Sequence, residues 1–209
     1  MTVLVRPGSG QRRVSATASL AHSPPLPTRS SPSSSTLTTA LATHTPHPLH
    51  PIQALKVGDE LKDFPDYYRV LKTQGQASTS LSKLDAAAKK ALVIAFYPKA
   101  STPGCTKEMC AFRDAWRSLQ DAGATVVGIS GDAPEANAAF AAAQNLPFDL
   151  LSDSGNFVRK AFEIKADFLG LLPGRETIIV KKGKVVKVFN SQFGIDEHVS
   201  EALAAVKGA

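Results

Sequence analysis

Hydrophobic and polar positions begin to alternate regularly only from about Lys56 onward, where short apolar runs of strand length recur between stretches with helical spacing. Strands are predicted at residues 68–72, 92–97, 125–130, 148–151, 177–181 and 185–189. The runs at 92 and 125 are almost wholly apolar, the pattern of strands covered on both faces, so they belong at the centre of a sheet. A helix is predicted from Thr102 as N-cap, with Pro103 at its first position, to about Gln120, ended by Gly123. Met109, Phe112, Trp116 and Leu119 fall on one face of it, three or four residues apart. A second helix opens on Asp132-Ala-Pro-Glu135, read as a capping box, and runs to Asn145. Two more span about 155–162 and 196–206, and Lys182-Gly183 reads as a hairpin turn. Alternating elements that finish in a hairpin and a helix predict a mostly parallel sheet with an antiparallel edge. The class is α/β with a thioredoxin-like fold, a central mixed sheet flanked by helices.

Composition divides the chain before this pattern starts. Residues 1–55 are rich in Ser, Thr and Pro, carry scattered Arg and contain no acid, the composition of an organelle transit peptide, which is itself disordered. The pair Arg12-Arg13 lacks the following apolar segment of a twin-arginine signal. The folded domain is placed at 56–209. Residues 1–58 hold five of the 24 basic residues, which leaves 19 basic against 18 acidic side chains in the rest. The formal charge of +6 therefore sits mostly in the leader, and no basic run from Asp59 onward suits a nucleic-acid surface. No stretch approaches the roughly 20 apolar residues of a membrane helix.

Both cysteines lie in Pro98-Lys-Ala-Ser-Thr102-Pro-Gly-Cys105-Thr-Lys-Glu-Met-Cys110, directly after the apolar run at 92–97. Cys105 falls in the first turn of the predicted helix, where unpaired amides and the positive end of the helix dipole favour an anion. A thiolate is the nucleophilic form of cysteine, so a reactive thiol is the reading here, against the buried inert one usual for a free cysteine. Cys110 lies five residues on, about 140° round an ideal helix and with its Cα roughly 8.5 Å away. A disulfide needs about 4.4 to 6.8 Å, so if the two react the helix must unwind locally. The spacing is not that of a Cys-x-x-Cys dithiol. His22, His44, His47 and His50 lie in the leader, and His198 is expected to be solvated near the start of the last helix, which disfavours a zinc site or a papain-like pair.

Pro98-x-x-x-Thr102-x-x-Cys105 resembles the active-site signature of the peroxiredoxins, and Cys110 at this spacing resembles their peroxiredoxin Q, or bacterioferritin comigratory, branch. Cys110-Ala-Phe-Arg-Asp114, Val127-Gly-Ile-Ser-Gly-Asp132, Leu150-Leu-Ser-Asp153 and Leu172-Pro-Gly-Arg175 look like plant-type members. The resemblance runs from about Lys56 to the C-terminus. It implies reduction of hydrogen peroxide and small organic hydroperoxides with no metal or organic cofactor, recycling by a thioredoxin-type reductant, and a monomer. By it Cys105 is the peroxidatic nucleophile and Cys110 resolves its sulfenic acid to an intramolecular disulfide. Thr102 is implied to hydrogen-bond thiolate and peroxide, Pro98 to shield the sulfur, and Arg175 to stabilise developing negative charge, for which a fixed fork of donors is suited. A plastid location, stroma or thylakoid lumen, follows from the same likeness, with the mitochondrion as alternative. A redox-sensing switch and a protein disulfide oxidoreductase are the rival functions.

Several side chains are expected to be structural. Lys107 and Glu108 read as exposed helix charges, Trp116 as core, and residues 168–172 as an apolar wall near the site. The sequence departs from the resembled pattern near its start, where Lys62 replaces a proline after Val57-Gly-Asp-Glu-Leu61, and Lys72-Thr-Gln-Gly-Gln-Ala77 replaces an Asp-Gly turn.

Overall fold

A computed structural model describes residues 54–166 and 173–208. The expected leader at 1–55, apart from its last two residues, and the expected apolar wall at 168–172 lie largely or wholly outside them.

Among the described residues seven strands form one sheet, in the order β2-β1-β5-β4-β3-β6-β7. They are β1 (Leu71–Thr73), β2 (Ser78–Thr79), β3 (Ala91–Phe96), β4 (Ala124–Ser130), β5 (Asp149–Ser152), β6 (Glu176–Lys181) and β7 (Lys184–Asn190). The apolar runs β3 and β4 lie at the centre, paired in parallel from Ala91–Ala124 to Phe96–Ile129. Only β3, β4 and β5 are mutually parallel; β1 runs antiparallel to β5, and β6 to both β3 and β7. The sheet is therefore mixed, and the expectation of a mostly parallel one is corrected. Hairpins need no crossover, and here they supply strands at both edges.

Every residue of β3 is buried, and its alternation feeds two cores. Val93, Ala95 and Tyr97 face α2 (Pro103–Asp114), α3 (Trp116–Asp121), α4 (Pro134–Gln144) and α6 (Ile195–Lys207), packing with Met109, Phe112, Leu119, Phe140 and Ala202. Leu92, Ile94 and Phe96 face α1 (Leu81–Ala87) and α5 (Phe157–Ala161), with Leu81, Val158 and Phe162. Burial of each such large side chain contributes about 1.5–3 kcal/mol.

Local chemistry explains where the elements differ from the expected ones. Residues 65–68 coil into a 3-10 turn, leaving Tyr68 and Val70 exposed, so strand pairing begins only at Leu71. The irregular turn after it still closes a hairpin, because Gln76 takes a left-handed φ of 65° and Thr73 N bonds Ala77 O. Helix α1, too short for a clear period, starts at Ser80, whose hydroxyl accepts from Lys83 N. The expected long helix 102–120 is two, meeting at Ala115, where ψ opens to 0°. Asp132 and Glu135 form no capping box: the N-cap is Ala133, while Asp132 accepts from Ala100 N and Glu135 from Gln76 Nε2. Lys182 and Gly183 do form the β6–β7 turn, with φ of 52° and 80°, the left-handed pair that such a two-residue turn requires.

Candidate active site

The loop after β3 leads into α2 under several constraints. Ala100 N donates to Asp132 Oδ2, and Ser101 is held at a φ of 61°, uncommon for a residue with a side chain. Thr102 occupies the N-cap position with extended backbone, and its carbonyl accepts the first helical bond from Thr106 N. Its hydroxyl does not cap the helix as expected: it donates to Lys99 O at 2.9 Å, turning the side chain back over the loop. Pro98 is half-buried two residues after the end of β3.

Cys105 lies in the first turn of α2 with 1 % of its surface exposed. Arg175, at the entry to β6, comes to it from 70 residues away: its Nη2 is 3.5 Å from Cys105 Sγ. A Cβ on Gly104 would lie 3.2 Å from that same Nη2, so the missing side chain leaves room for the guanidinium beside the sulfur. Nη1 of Arg175 donates to Glu108 Oε2 in a fully buried ion pair.

Glu108 corrects the reading of it as an exposed helix charge. It stands three residues after Cys105, hence on the same inward face of α2 as Cys105, Met109 and Phe112. Burial pushes its carboxyl up to about 7, against the opposing pull of Arg175 and Arg159. Lys107 on the outer face is exposed and pairs with Asp196, as expected of it.

Arg159 of α5 carries no motif in the sequence, yet it links the end of β3 to the residues before β6. Its Nη1 donates to Gly174 O at 2.7 Å and its Nη2 to Tyr97 O at 2.8 Å. Asp153 holds the start of α5 by accepting from Val158 N and Arg159 N. His198 was expected in solvent and is instead fully buried, with Nδ1 2.8 Å from Thr177 Oγ1 and Nε2 2.7 Å from Ser191 O. It belongs to the apolar stripe Ile195, His198, Val199, Ala202 and Val206 of α6, a spacing that foretold its burial. Its burial pushes the imidazole down from the usual histidine range.

Cys110 lies half-buried on α2 and points elsewhere: its thiol donates to Gln144 Oε1 at 3.4 Å, at the end of α4. Arg113, one turn on, donates to Gln144 O at 2.8 Å. Both cysteines are free thiols on one continuous helix. Trp116 is half-buried against the core, its ring 5.7 Å from that of Phe148. Among the described residues no group of three or more His, Cys, Asp and Glu is placed to hold a metal ion. The site thus joins a thiol at a helix N-terminus to a buried cation, an arrangement that can stabilise negative charge on an oxygen brought to it.

The family model described as AhpC/TSA family matches residues 57–189. Peroxiredoxin Q, chloroplastic, of Populus jackii is 49 % identical over 134 residues, which are 64 % of this chain and 62 % of that protein, so the match spans less than two thirds of the relative. The crystal structure of peroxidoxin BcpB from Mycobacterium tuberculosis superposes with a TM-score of 0.64 at 36 % identity, covering 73 % of this chain and 97 % of that one. A bacterioferritin comigratory protein of Xanthomonas campestris, studied for its alkyl peroxide reduction activity, superposes with a TM-score of 0.62 at 30 % identity, covering 71 % and 98 %. These neighbours share the thioredoxin-like fold expected from the sequence.

Proposed function

The chain belongs to the AhpC/TSA family, on its peroxiredoxin Q branch, and from that premise we propose that it is a thiol peroxidase reducing hydrogen peroxide and organic hydroperoxides. The observation that carries this reading is the guanidinium of Arg175 at 3.5 Å from a cysteine sulfur in a helix's first turn. The Cys105 thiolate attacks one peroxide oxygen; an S–O bond forms, the O–O bond breaks, and the other oxygen leaves as alcohol or water after taking a proton. Arg175 stabilises the charge that develops on that oxygen. Thr102 presents its hydroxyl oxygen as an acceptor toward the peroxide proton, its own proton being spent on Lys99 O. Pro98 limits access of water to the sulfur.

The Cys105 sulfenic acid then condenses with the Cys110 thiol, forming the S–S bond and releasing water. The two cysteines stand five positions apart on α2, so the turn between them unwinds for this step. A thioredoxin-type dithiol restores both thiols, taking up the disulfide in exchange. Since both cysteines lie in one chain, a monomer suffices. Residues 1–55 act as a plastid transit peptide, a reading supported by their acid-free composition and by the chloroplastic name of the Populus relative. An import assay with isolated plastids, followed by fractionation, separates stroma from lumen.

The decisive experiment is steady-state peroxide consumption with several hydroperoxides, thioredoxins and an NADPH-driven reductase. Turnover by the wild type, abolished in Cys105→Ser, is expected; Cys110→Ser should be oxidised once yet form no intramolecular disulfide. Absence of turnover in a wild type that still forms its disulfide would point instead to a redox switch.

A further inference from the structure

Behind Arg175 the buried polar chain continues past any group the proposed chemistry uses. Glu108 Oε1 is buried and has no hydrogen-bond partner among the described residues; it faces His198 Nδ1 at 3.8 Å. The ring of His198 is held edge-to-face by Phe189, with centroids 4.8 Å apart. Its Nε2 lies 2.7 Å from Ser191 O, and a carbonyl oxygen only accepts, so this nitrogen carries a proton in every state. The neutral ring therefore has a lone pair on Nδ1, which accepts from the Thr177 hydroxyl. A bare carboxylate oxygen and that lone pair would then face each other at 3.8 Å in a buried setting, a costly arrangement. A proton on Glu108 removes it, and so does a second proton on His198, with the Thr177 hydroxyl turned to accept.

We propose that Glu108 and His198 hold one proton between them, and that His198 is thereby a positioning residue which sets the charge Arg175 presents to Cys105. The positioning role rests on the peroxidase reading; the shared proton does not. With the proton in place, Arg175, Glu108 and His198 together carry a net charge of +1, on whichever of the two acceptors it resides; without it they carry none. Arg159 from α5 also acts on Glu108, and Tyr97 at the end of β3 lies within reach of its charge. On α2 and α6 the remaining charged neighbours, Lys107, Asp196 and Glu197, point to solvent. Burial moves the two proton affinities toward each other, the carboxyl up and the imidazole down, so that a group ordinarily the far stronger acid competes with the ring.

The test is nitrogen NMR of the reduced full-length protein with labelled histidine, His198 being assigned through the α6 backbone, from about pH 5 to about pH 9. Nε2 should stay protonated throughout, and the Nδ1 titration should move by about one pH unit or more in Glu108→Gln. An unmoved titration would overturn the shared proton. Stopped-flow oxidation of Cys105 reads the second half: the rate per thiolate should fall roughly tenfold as the wild type loses the proton, the effect of a unit charge at this range, and the pH of this fall should be displaced by about one unit or more in His198→Asn, where the buried Glu108 carboxyl titrates without its partner. A wild-type-like profile in that variant would overturn the positioning role; should it fail to fold, His198→Gln, whose amide can still donate to Ser191 O, gives the same reading. If the wild type consumes no peroxide while the titration still depends on Glu108, the peroxidase reading fails and the shared proton stands.

Discussion

Arg175 Nη2 stands 3.5 Å from the Cys105 sulfur while Nη1 of the same guanidinium donates to Glu108 Oε2. One cation therefore serves both the thiol and a buried carboxylate, and removing it should hurt twice. Arg175→Met should slow peroxide-driven oxidation of Cys105 by roughly 10²- to 10³-fold, the size seen when a charge-stabilising donor is lost. It should also destabilise the fold by about 3–5 kcal/mol by stranding Glu108. Adding Glu108→Gln should recover much of the stability and none of the rate. Stopped-flow kinetics and urea unfolding separate the two effects, and a double variant with restored rate would contradict the assignment of Arg175.

Glu108 gives a pH dependence with a definite sign. Its carboxyl is raised from 4.5 to about 7 by burial. The folded state thus holds the proton more tightly than the unfolded one, and the associated stability is fully present below about 4.5 and lost as pH rises to about 7. His198 works the other way, because its lowered proton affinity withdraws stability as pH falls. The stability of Glu108→Gln relative to wild type should therefore climb between about pH 4.5 and 7 and level off above. Thermal unfolding of both proteins across that window checks it; a flat difference would mean that Glu108 is not desolvated.

Gly104 tests the room left beside the sulfur. Alanine is the better helix former, by up to about 1 kcal/mol, yet its Cβ would sit 3.2 Å from Arg175 Nη2. Gly104→Ala should leave stability within about 1 kcal/mol of wild type and slow Cys105 oxidation about tenfold. Unchanged kinetics would show that the guanidinium can give way without cost.

The two thiols cannot pair while α2 is intact, so oxidation should melt part of it. Hydrogen exchange should show amides between Cys105 and Phe112 losing protection in the disulfide form while those of α4 and α6 keep theirs. Arg113 and Cys110 both hold Gln144 at the end of α4. Gln144→Ala should free the Cys110 thiol and raise the rate of disulfide formation severalfold, read from Trp116 fluorescence. Equal protection of α2 in both redox forms would refute the unwinding.

What the residue pattern reveals depends on whether the deciding force is local. β3 and β4 are apolar throughout, and Lys182-Gly183 can hardly be anything but a tight turn, so these follow from short stretches read alone. Pro103 marks the start of the cysteine helix, and the motif around Arg175 marks that residue. Glu108 and His198 lie inside although their polarity argues for solvent, and only their spacing from Cys105 and Ile195 places them on inward faces. Arg159 gave no signal, since its partners are the carbonyls of Tyr97 and Gly174, positions whose side-chain types say nothing about it. The carboxylates of Asp132 and Glu135 were likewise taken by distant donors, Ala100 N and Gln76 Nε2, which no window around residue 132 contains.

Arg159 grips Tyr97 O on one side and Gly174 O on the other, and neither bond touches α2. The end of β3 and the residues just before β6 are therefore tied together independently of α2, so an unwinding of the cysteine-bearing turn would leave them joined. If the proposed cycle holds, only the cysteine-bearing half has to be rebuilt after the disulfide is reduced, and the refolding of that short helical stretch, a sub-microsecond event, adds nothing to the time set by thiol exchange.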